Sequence, residues 1–358
     1  MELYENTLYK NSVELIAKNE KINYELLKDK KILITGASGL ICSFLVDVLM
    51  YRNENYNDNI KVYMLCRNEE KIKNRFSYYD LERYNGSNDG NLIYIVQDVC
   101  SAFEFDENFN YIIHGASNTH PKQYSTDPVG TINTNVIGLY NILNYSVKYK
   151  PERIFMMSSV EIYGENKNDV LKFDENYLGY INCNTLRAGY PESKRLSESL
   201  CQAYISQYDL DIVIGRFSRV YGPTMRSDDS KALAQFIKNA VNNEDIVLKS
   251  EGNQLFSYTY MCDAVSAILF ILLYGKNGEA YNISDEKSDV QLKDLAKILA
   301  DYNGKKVVFE IPDETERKGY STATKAVLDS TKLKNLGWEP LFSIEKGLND
   351  TIDILKNS

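Results

Sequence analysis

Histidine is scarce in this chain. Its 358 residues hold only two, His114 and His120, so a His-based zinc site or a Ser-His-Asp triad is poorly supplied, and no metal site is expected. The six cysteines (Cys42, Cys66, Cys100, Cys183, Cys201, Cys262) are scattered without a C-x-x-C pair and read as reduced thiols of a cytoplasmic protein. Positive charge is also short. A net charge of -9 argues against a nucleic-acid partner, although a local basic pocket for a small anion stays possible. No run approaches the length of apolar residues that a membrane span needs. The opening MELYENTLYKNSVEL has neither a basic n-region nor an apolar h-region, so no signal peptide is expected. Acid–base chemistry at neutral pH therefore falls to Tyr, Lys or carboxylates.

What is present is an ordinary globular composition, 44% apolar and 25% charged, long enough for one large core with a smaller lobe. The stretch from Lys30 to Leu49 organises it. Lys31–Thr35 (KILIT) reads as a strand buried on both faces, and it runs straight into Gly36-Ala-Ser-Gly39 and an apolar helix. Strand, glycine turn and helix is the geometry in which backbone N–H groups meet a pyrophosphate. Gly36 allows the tight turn and Gly39 the close approach. An ordinary βα turn would look similar in isolation.

Residues 1–28 form a polar lead-in, one or two short helices packed on the core or at an oligomer contact. Further strands are expected at 61–66, 92–96, 111–114, 153–157 and 212–215. Helices are expected at 133–148 and 192–208, and the 85–90 stretch (NGSNDG) reads as a long loop. This alternation predicts an α/β fold, a Rossmann-type doubly wound parallel sheet over 29–222. Beyond about 223 the rhythm changes. Helices at 231–242, 264–274, 292–302 and 343–355, with short strands at 246–248 and 257–260, read as a smaller substrate-binding lobe, 223–358, interleaved with the first.

Two further motifs bear on chemistry. Tyr190-Pro-Glu-Ser-Lys194 places a phenol and an ammonium four apart on a helix face, where a nearby cation would favour the phenolate. A surface Tyr and Lys at that spacing is the plain alternative. Ser158-Ser159-Val-Glu161 leaves the strand 153–157 at its carboxyl end, where open α/β sheets hold ligands.

TGASGLI, Asp98 after the third strand, His114-Gly-Ala-Ser117, Asn135-Val-Ile-Gly138, Ser159 and Tyr190-x-x-x-Lys194 together resemble the extended short-chain dehydrogenase/reductases. Within that superfamily the chain is most similar to the nucleotide-sugar epimerases, dehydratases and decarboxylases, above all the UDP-glucuronate decarboxylases. The segments 114–135, with Tyr124 and Pro128, 159–164 and 177–190 carry that likeness. The resemblance runs from about residue 30 to 355. It implies a nicotinamide dinucleotide on Gly36, Ser38, Gly39 and Leu40, with Asp98, Val99 and Ala116 lining the same cleft. Tyr190 would be the general acid/base, Lys194 would bind the nicotinamide ribose and depress the Tyr190 pKa, and Ser159 would hydrogen-bond the reacting oxygen. Glu161 would be the active-site Glu of the dehydratases and decarboxylases. Ser117, Tyr124 and Arg187 would face the substrate. Hydride transfer at a sugar carbon, a homodimer through helices 133–148 and 192–208, and a place in surface-polysaccharide precursor synthesis are implied too.

Four departures qualify this. Cys42 replaces the third glycine, small enough to fit with a slight shift. At the end of the second strand the usual Asp is missing and Arg67 stands nearby, which favours NADP(H) over NAD(H). Arg219 stands where relatives place an Asn beside the sugar diphosphate, and Phe256 where they place a diphosphate-binding Arg. A phosphate-bearing sugar stays the expected substrate, in a changed pose. An NADPH-dependent net reductase of a keto-sugar is the alternative. A dinucleotide-sensing non-enzyme is a further one, although such a protein tends to lose the Tyr or Lys retained here.

Overall fold

The computed structural model describes residues 3–81, 90–103, 105–119, 121–310 and 323–357. Of the 85–90 loop only Gly90 lies among them, and His120 lies outside them. In chain order the first half contains α1 (Thr7–Ala17), β1 (Lys31–Thr35), α2 (Leu40–Tyr56), β2 (Lys61–Cys66), α3 (Glu69–Arg75) and β3 (Leu92–Val96). It continues with β4 (Tyr111–His114), α4 (Pro121–Thr126), α5 (Pro128–Tyr149), β5 (Arg153–Ser159), α6 (Gly189–Tyr208) and β6 (Ile212–Phe217). The second half adds β7 (Arg219–Tyr221), α7 (Ala232–Val241), β8 (Ile246–Leu248), β9 (Leu255–Tyr260), α8 (Met261–Tyr274) and β10 (Ala280–Ile283). Last come β11 (Asp289–Gln291), α9 (Leu292–Tyr302), β12 (Val307–Phe309), β13 (Lys325–Ala326), α10 (Thr331–Asn335) and α11 (Ile344–Lys356).

Seven parallel strands form the main sheet in the order β10-β6-β5-β4-β1-β2-β3. The order reverses between β1 and β4, so a crevice opens at their carboxyl ends. The core residues of β1, Ile32 to Ile34, are fully buried, as a strand covered on both faces requires. Strand β10, from the C-terminal part of the chain, completes the sheet beside β6. A second sheet pairs β9 with β7 and β13 in parallel and with β11 antiparallel, and β8 pairs β12 separately.

Helix α5 begins at Pro128, five residues before the expected 133. Asp127 caps it, its carboxylate accepting from Gly130 N at 3.0 Å, and Pro at the first position is pre-set for a helix. Helix α6 begins at Gly189, which places Tyr190 inside its first turn. Strands β7 and β10 to β13, between two and four residues long, were beyond reach of the hydropathy pattern.

The lead-in, from residue 3 to 28, packs on the core. Helix α1 lies against α2, α8 and α11, and the Tyr9 hydroxyl donates to the buried Asp47 of α2. Asp47 also accepts from Arg75, Tyr78 and Tyr79, which fastens α1, α2 and the segment after α3 together. Among the described residues no helix is long and apolar enough to cross a membrane.

Candidate active site

Backbone geometry fixes the turn after β1. Gly36 has φ of +70°, and a Cβ there would stand 2.9 Å from Ala116 N and the Gly115 carbonyl. Any side chain is excluded both by conformation and by contact. Gly39 is the N-cap of α2 and supplies no side-chain cap, so the first N–H groups of that helix are left to face a ligand. Cys42 fits one turn on, 2% exposed, with Sγ 3.7 Å from Met157 Sδ. Its room comes from Gly115, where a Cβ would lie 2.5 Å from that sulfur. The glycine missing from α2 is thus compensated by one after β4.

The floor between β1 and β4 is tied together by Thr35. Thr35 Oγ1 accepts from Gly115 N and Ala116 N, both at 3.1 Å, which frees its proton to point at His114 Nδ1, 3.0 Å away. His114 is 2% exposed, and burial together with the Lys194 charge lowers its pKa to about 3. It is a neutral ring holding two strands in register, not an acid or base.

On the cofactor side, Asp98 is exposed and its carboxylate accepts from Cys100 N at 2.8 Å. Val99 is buried beneath it against Gly138, where a Cβ would come within 2.8 Å of Val99 Cγ1. Arg67 is exposed at the end of β2, with Nη2 3.5 Å from Asn118 Oδ1. Ser38 and Leu40 lie part-exposed beside the turn, and the Leu40 carbonyl accepts from Thr224 across the cleft. A positive-φ glycine, an uncapped helix start and a carboxylate at the crevice rim suit a dinucleotide.

On the other side of the crevice, Tyr190 is 6% exposed and lies nearly flat on Tyr124, with ring centroids 4.8 Å apart at 23°. Ser159 and Ser117 lie near enough to its hydroxyl to pull its pKa down. Arg187 donates from Nη2 to both Glu161 oxygens at 2.7 and 2.6 Å, and its guanidinium lies 4.9 Å from the Tyr124 ring centroid. The expected low phenol pKa is not what this arrangement gives. Burial and the Glu161 charge push Tyr190 above its ordinary value, against the pull of Ser159, Arg187 and Ser117. Lys194, 4% exposed, turns its ammonium to the Met157 carbonyl at 2.9 Å, and burial lowers its pKa to about 8 against the pull of Glu198.

One residue of the constellation carries more than its motif suggested. Asn135 is buried, accepts from Ser117 Oγ at 2.7 Å and donates to Ser193 Oγ at 2.8 Å, and Ser193 in turn donates to the Tyr190 carbonyl. It ties the Ser117 hydroxyl to the first turn of α6. A buried-polar side chain in mid-helix, spaced to meet α6, was the signal available for it.

Ser117, Tyr124, Ser159, Glu161, Arg187 and Tyr190 therefore share one wall. Arg219 and Phe256 lie on neighbouring strands of the second sheet, and the Arg219 charge is coupled to Glu161 and Arg187.

Residues 32–284 match the NAD dependent epimerase/dehydratase family. UDP-glucuronic acid decarboxylase 5 of Arabidopsis thaliana is 32% identical over 322 residues, 89% of this chain and 87% of that protein. UDP-glucuronic acid decarboxylase 1 of Xenopus tropicalis is 28% identical over 326 residues, 90% of this chain and 71% of that protein. Among solved structures, UDP-glucuronic acid 4-epimerase from Bacillus cereus, in complex with UDP-glucuronic acid and NAD, superposes with a TM-score of 0.74 at 22% identity. That likeness covers 91% of this chain and 99% of the epimerase and is one of fold.

Proposed function

From the premise that this chain belongs to the NAD dependent epimerase/dehydratase family, we propose that it oxidises a nucleotide-activated sugar transiently at one carbon, remodels it and restores it. The observation that supports this most is the burial of Tyr190, stacked on Tyr124 and within the influence of Ser159 and Ser117. The dinucleotide, on Gly36, Ser38, Gly39, Leu40, Asp98, Val99, Ala116 and Lys194, would supply a reversible hydride acceptor. Tyr190 would move the proton at the reacting sugar oxygen, while Ser159 and Ser117 fix that oxygen by hydrogen bonds. In the oxidation Tyr190 would take the hydroxyl proton as the hydride leaves, and it would give that proton back when the ketone is reduced; its raised pKa favours the second of these halves. Glu161 would handle a second, carbon-bound proton, with its carboxylate aimed by Arg187.

UDP-glucuronic acid is the first substrate to try, because it is named for both the decarboxylase relatives and the epimerase neighbour. Proton NMR of protein, NAD and UDP-glucuronic acid or UDP-glucose should show a new sugar with no net change in absorbance at 340 nm. Stoichiometric consumption of NADPH with formation of an alditol would replace this reading with the net reductase. Arg67 favours that second reading, since its exposed guanidinium suits a 2′-phosphate. It predicts tighter binding of NADPH than of NADH, by about tenfold, lost in Arg67→Ala. Equal or reversed affinities would remove the NADP(H) preference. A product that feeds surface-polysaccharide synthesis belongs to the same proposal.

A homodimer is proposed through α5 and α6. On these helices Leu139, Ile142 and Leu143 are buried in the core, whereas Ile137 and Leu196 are 41% and 48% exposed. Val129, Ile132 and Tyr140 extend that exposed face. Light scattering should show a dimer that Ile137→Glu with Leu196→Glu converts to a monomer; a monomeric parent would dismiss it.

A further inference from the structure

Strand β7 opens on Arg219, which pairs level with Tyr258 of β9. Two residues back along β9 lies Phe256, and the Arg219 guanidinium carbon sits 3.4 Å from the centroid of its ring. An aromatic face supports a planar cation in this way without using any of its N–H donors. The Nη1 atom of Arg219 is buried and has no hydrogen-bond partner. A guanidinium cannot shed its charge at any ordinary pH, and a buried donor left unmade costs free energy. Folding has put this group where it is at a cost, which is what a residue waiting for an anion looks like.

The surroundings say which anion-bearing molecule it faces. Burial lowers the Arg219 pKa, Tyr258 and Glu161 raise it, and Arg187 lowers it. Arg219 and Arg187 therefore act on one another and on Glu161, which Arg187 already holds. Two guanidiniums and one carboxylate leave one positive charge over.

We infer that Arg219, laid on Phe256, binds an oxyanion of the substrate through its unpartnered Nη1–H. The oxygen belongs to a phosphoryl group of the nucleotide or to a carboxylate of the sugar. This deepens the nucleotide-sugar reading and rests on it. Phe256 acts as a positioning residue, holding the guanidinium plane. The arrangement has a consequence that a packing role would not share: replacing Arg219 by an apolar side chain of similar length should stabilise the free protein while destroying binding.

The experiment uses the NAD-loaded protein and its Arg219→Met, Arg219→Lys and Phe256→Leu variants, with retention of NAD as the check on folding. Thermal unfolding is followed without sugar nucleotide, and calorimetric titration uses pyrophosphate, UDP-glucose and UDP-glucuronic acid. Arg219→Met is expected to raise Tm by a few degrees and to weaken binding by about tenfold or more. Arg219→Lys should recover part of that loss and Phe256→Leu should cause a smaller one. Loss for all three probes assigns the phosphoryl oxygen, and loss for UDP-glucuronic acid alone assigns the carboxylate. Arg219→Met that lowers Tm and leaves every affinity within twofold overturns the proposal. A parent protein that takes pyrophosphate through Arg219 but neither nucleotide sugar supports the oxyanion site and overturns the nucleotide-sugar reading. A parent that binds none of the three overturns both.

Discussion

Arg216 and Arg219 stand three residues apart at the end of β6 and the start of β7, and the structure treats them oppositely. Arg216 donates to both Glu198 oxygens, to the Tyr163 hydroxyl and to the Glu175 carbonyl at 2.6 to 3.0 Å, and Glu198 also accepts from Ser158. Arg219 rests on an aromatic ring with a buried donor unmet. The first belongs to a buttress in which the polar groups are matched, behind the carboxyl ends of β5 and β6. The second belongs to the crevice wall, where Ser117, Ser159, Glu161 and Tyr190 also converge. Matched buried charge holds a scaffold in one arrangement, and unmatched buried charge is what a ligand can complete.

The contrast can be broken most sharply at Tyr190. Tyr190→Phe should lower the turnover rate about a thousandfold, the range of a lost general acid/base, while Tm stays within a degree or two. A rate within tenfold of the parent would place the proton chemistry elsewhere. The buttress should respond in the other currency. Arg216→Met leaves the part-buried Glu198 without its cation and should cost about 2 kcal/mol of stability, read by denaturant unfolding, before any effect on chemistry. A well-folded Arg216→Met with normal stability would erase the distinction between the two arginines.

Lys194 sits between the two regions and sharpens the comparison through pH. Its folded pKa, about 8, lies below the unfolded value of 10.5, so between these the unfolded chain binds the extra proton. Stability of the cofactor-free protein should therefore rise with pH across that window, by about 2 kcal/mol between pH 7.5 and 9.5 relative to Lys194→Met. A flat difference would mean that the ammonium is not desolvated. The smallest effect is expected at the start of α5. Asp127→Ala should cost about 1 kcal/mol through the lost cap, with little change in rate.

Much of this was legible beforehand, for physical reasons that differ by region. Strands β1 to β4 have the bounds their apolar runs predicted: β1 and β4 are apolar because both faces are buried, and the edge strand β3, buried only at Leu92, keeps its bounds through its β-branched and aromatic residues. The glycine turn was readable since only Gly36 tolerates its φ. The early start of α5 was written in Asp127-Pro128, a cap followed by a proline, and was masked by the polar residues after it. Strand β10 could not be placed, because four residues that begin 63 positions after the end of β6 carry no local sign of their partner. Tyr190 and Lys194 were legible as a pair, but the direction of the phenol pKa was not. It depends on Glu161 and on burial, which only the fold brings to bear. The contact of Arg219 with Phe256 was likewise hidden, since it spans two strands whose register the sequence does not state.

The measurement closest to the central claim follows one hydrogen. UDP-glucuronic acid carrying deuterium at the sugar C4 is turned over by the protein with its bound dinucleotide, and product and free dinucleotide are both analysed by mass spectrometry. Transient oxidation and return predict that the deuterium stays with the sugar product while the free dinucleotide pool remains unlabelled. Product that forms with its deuterium delivered to free NADH or NADPH, or no turnover of the sugar at all, would contradict it.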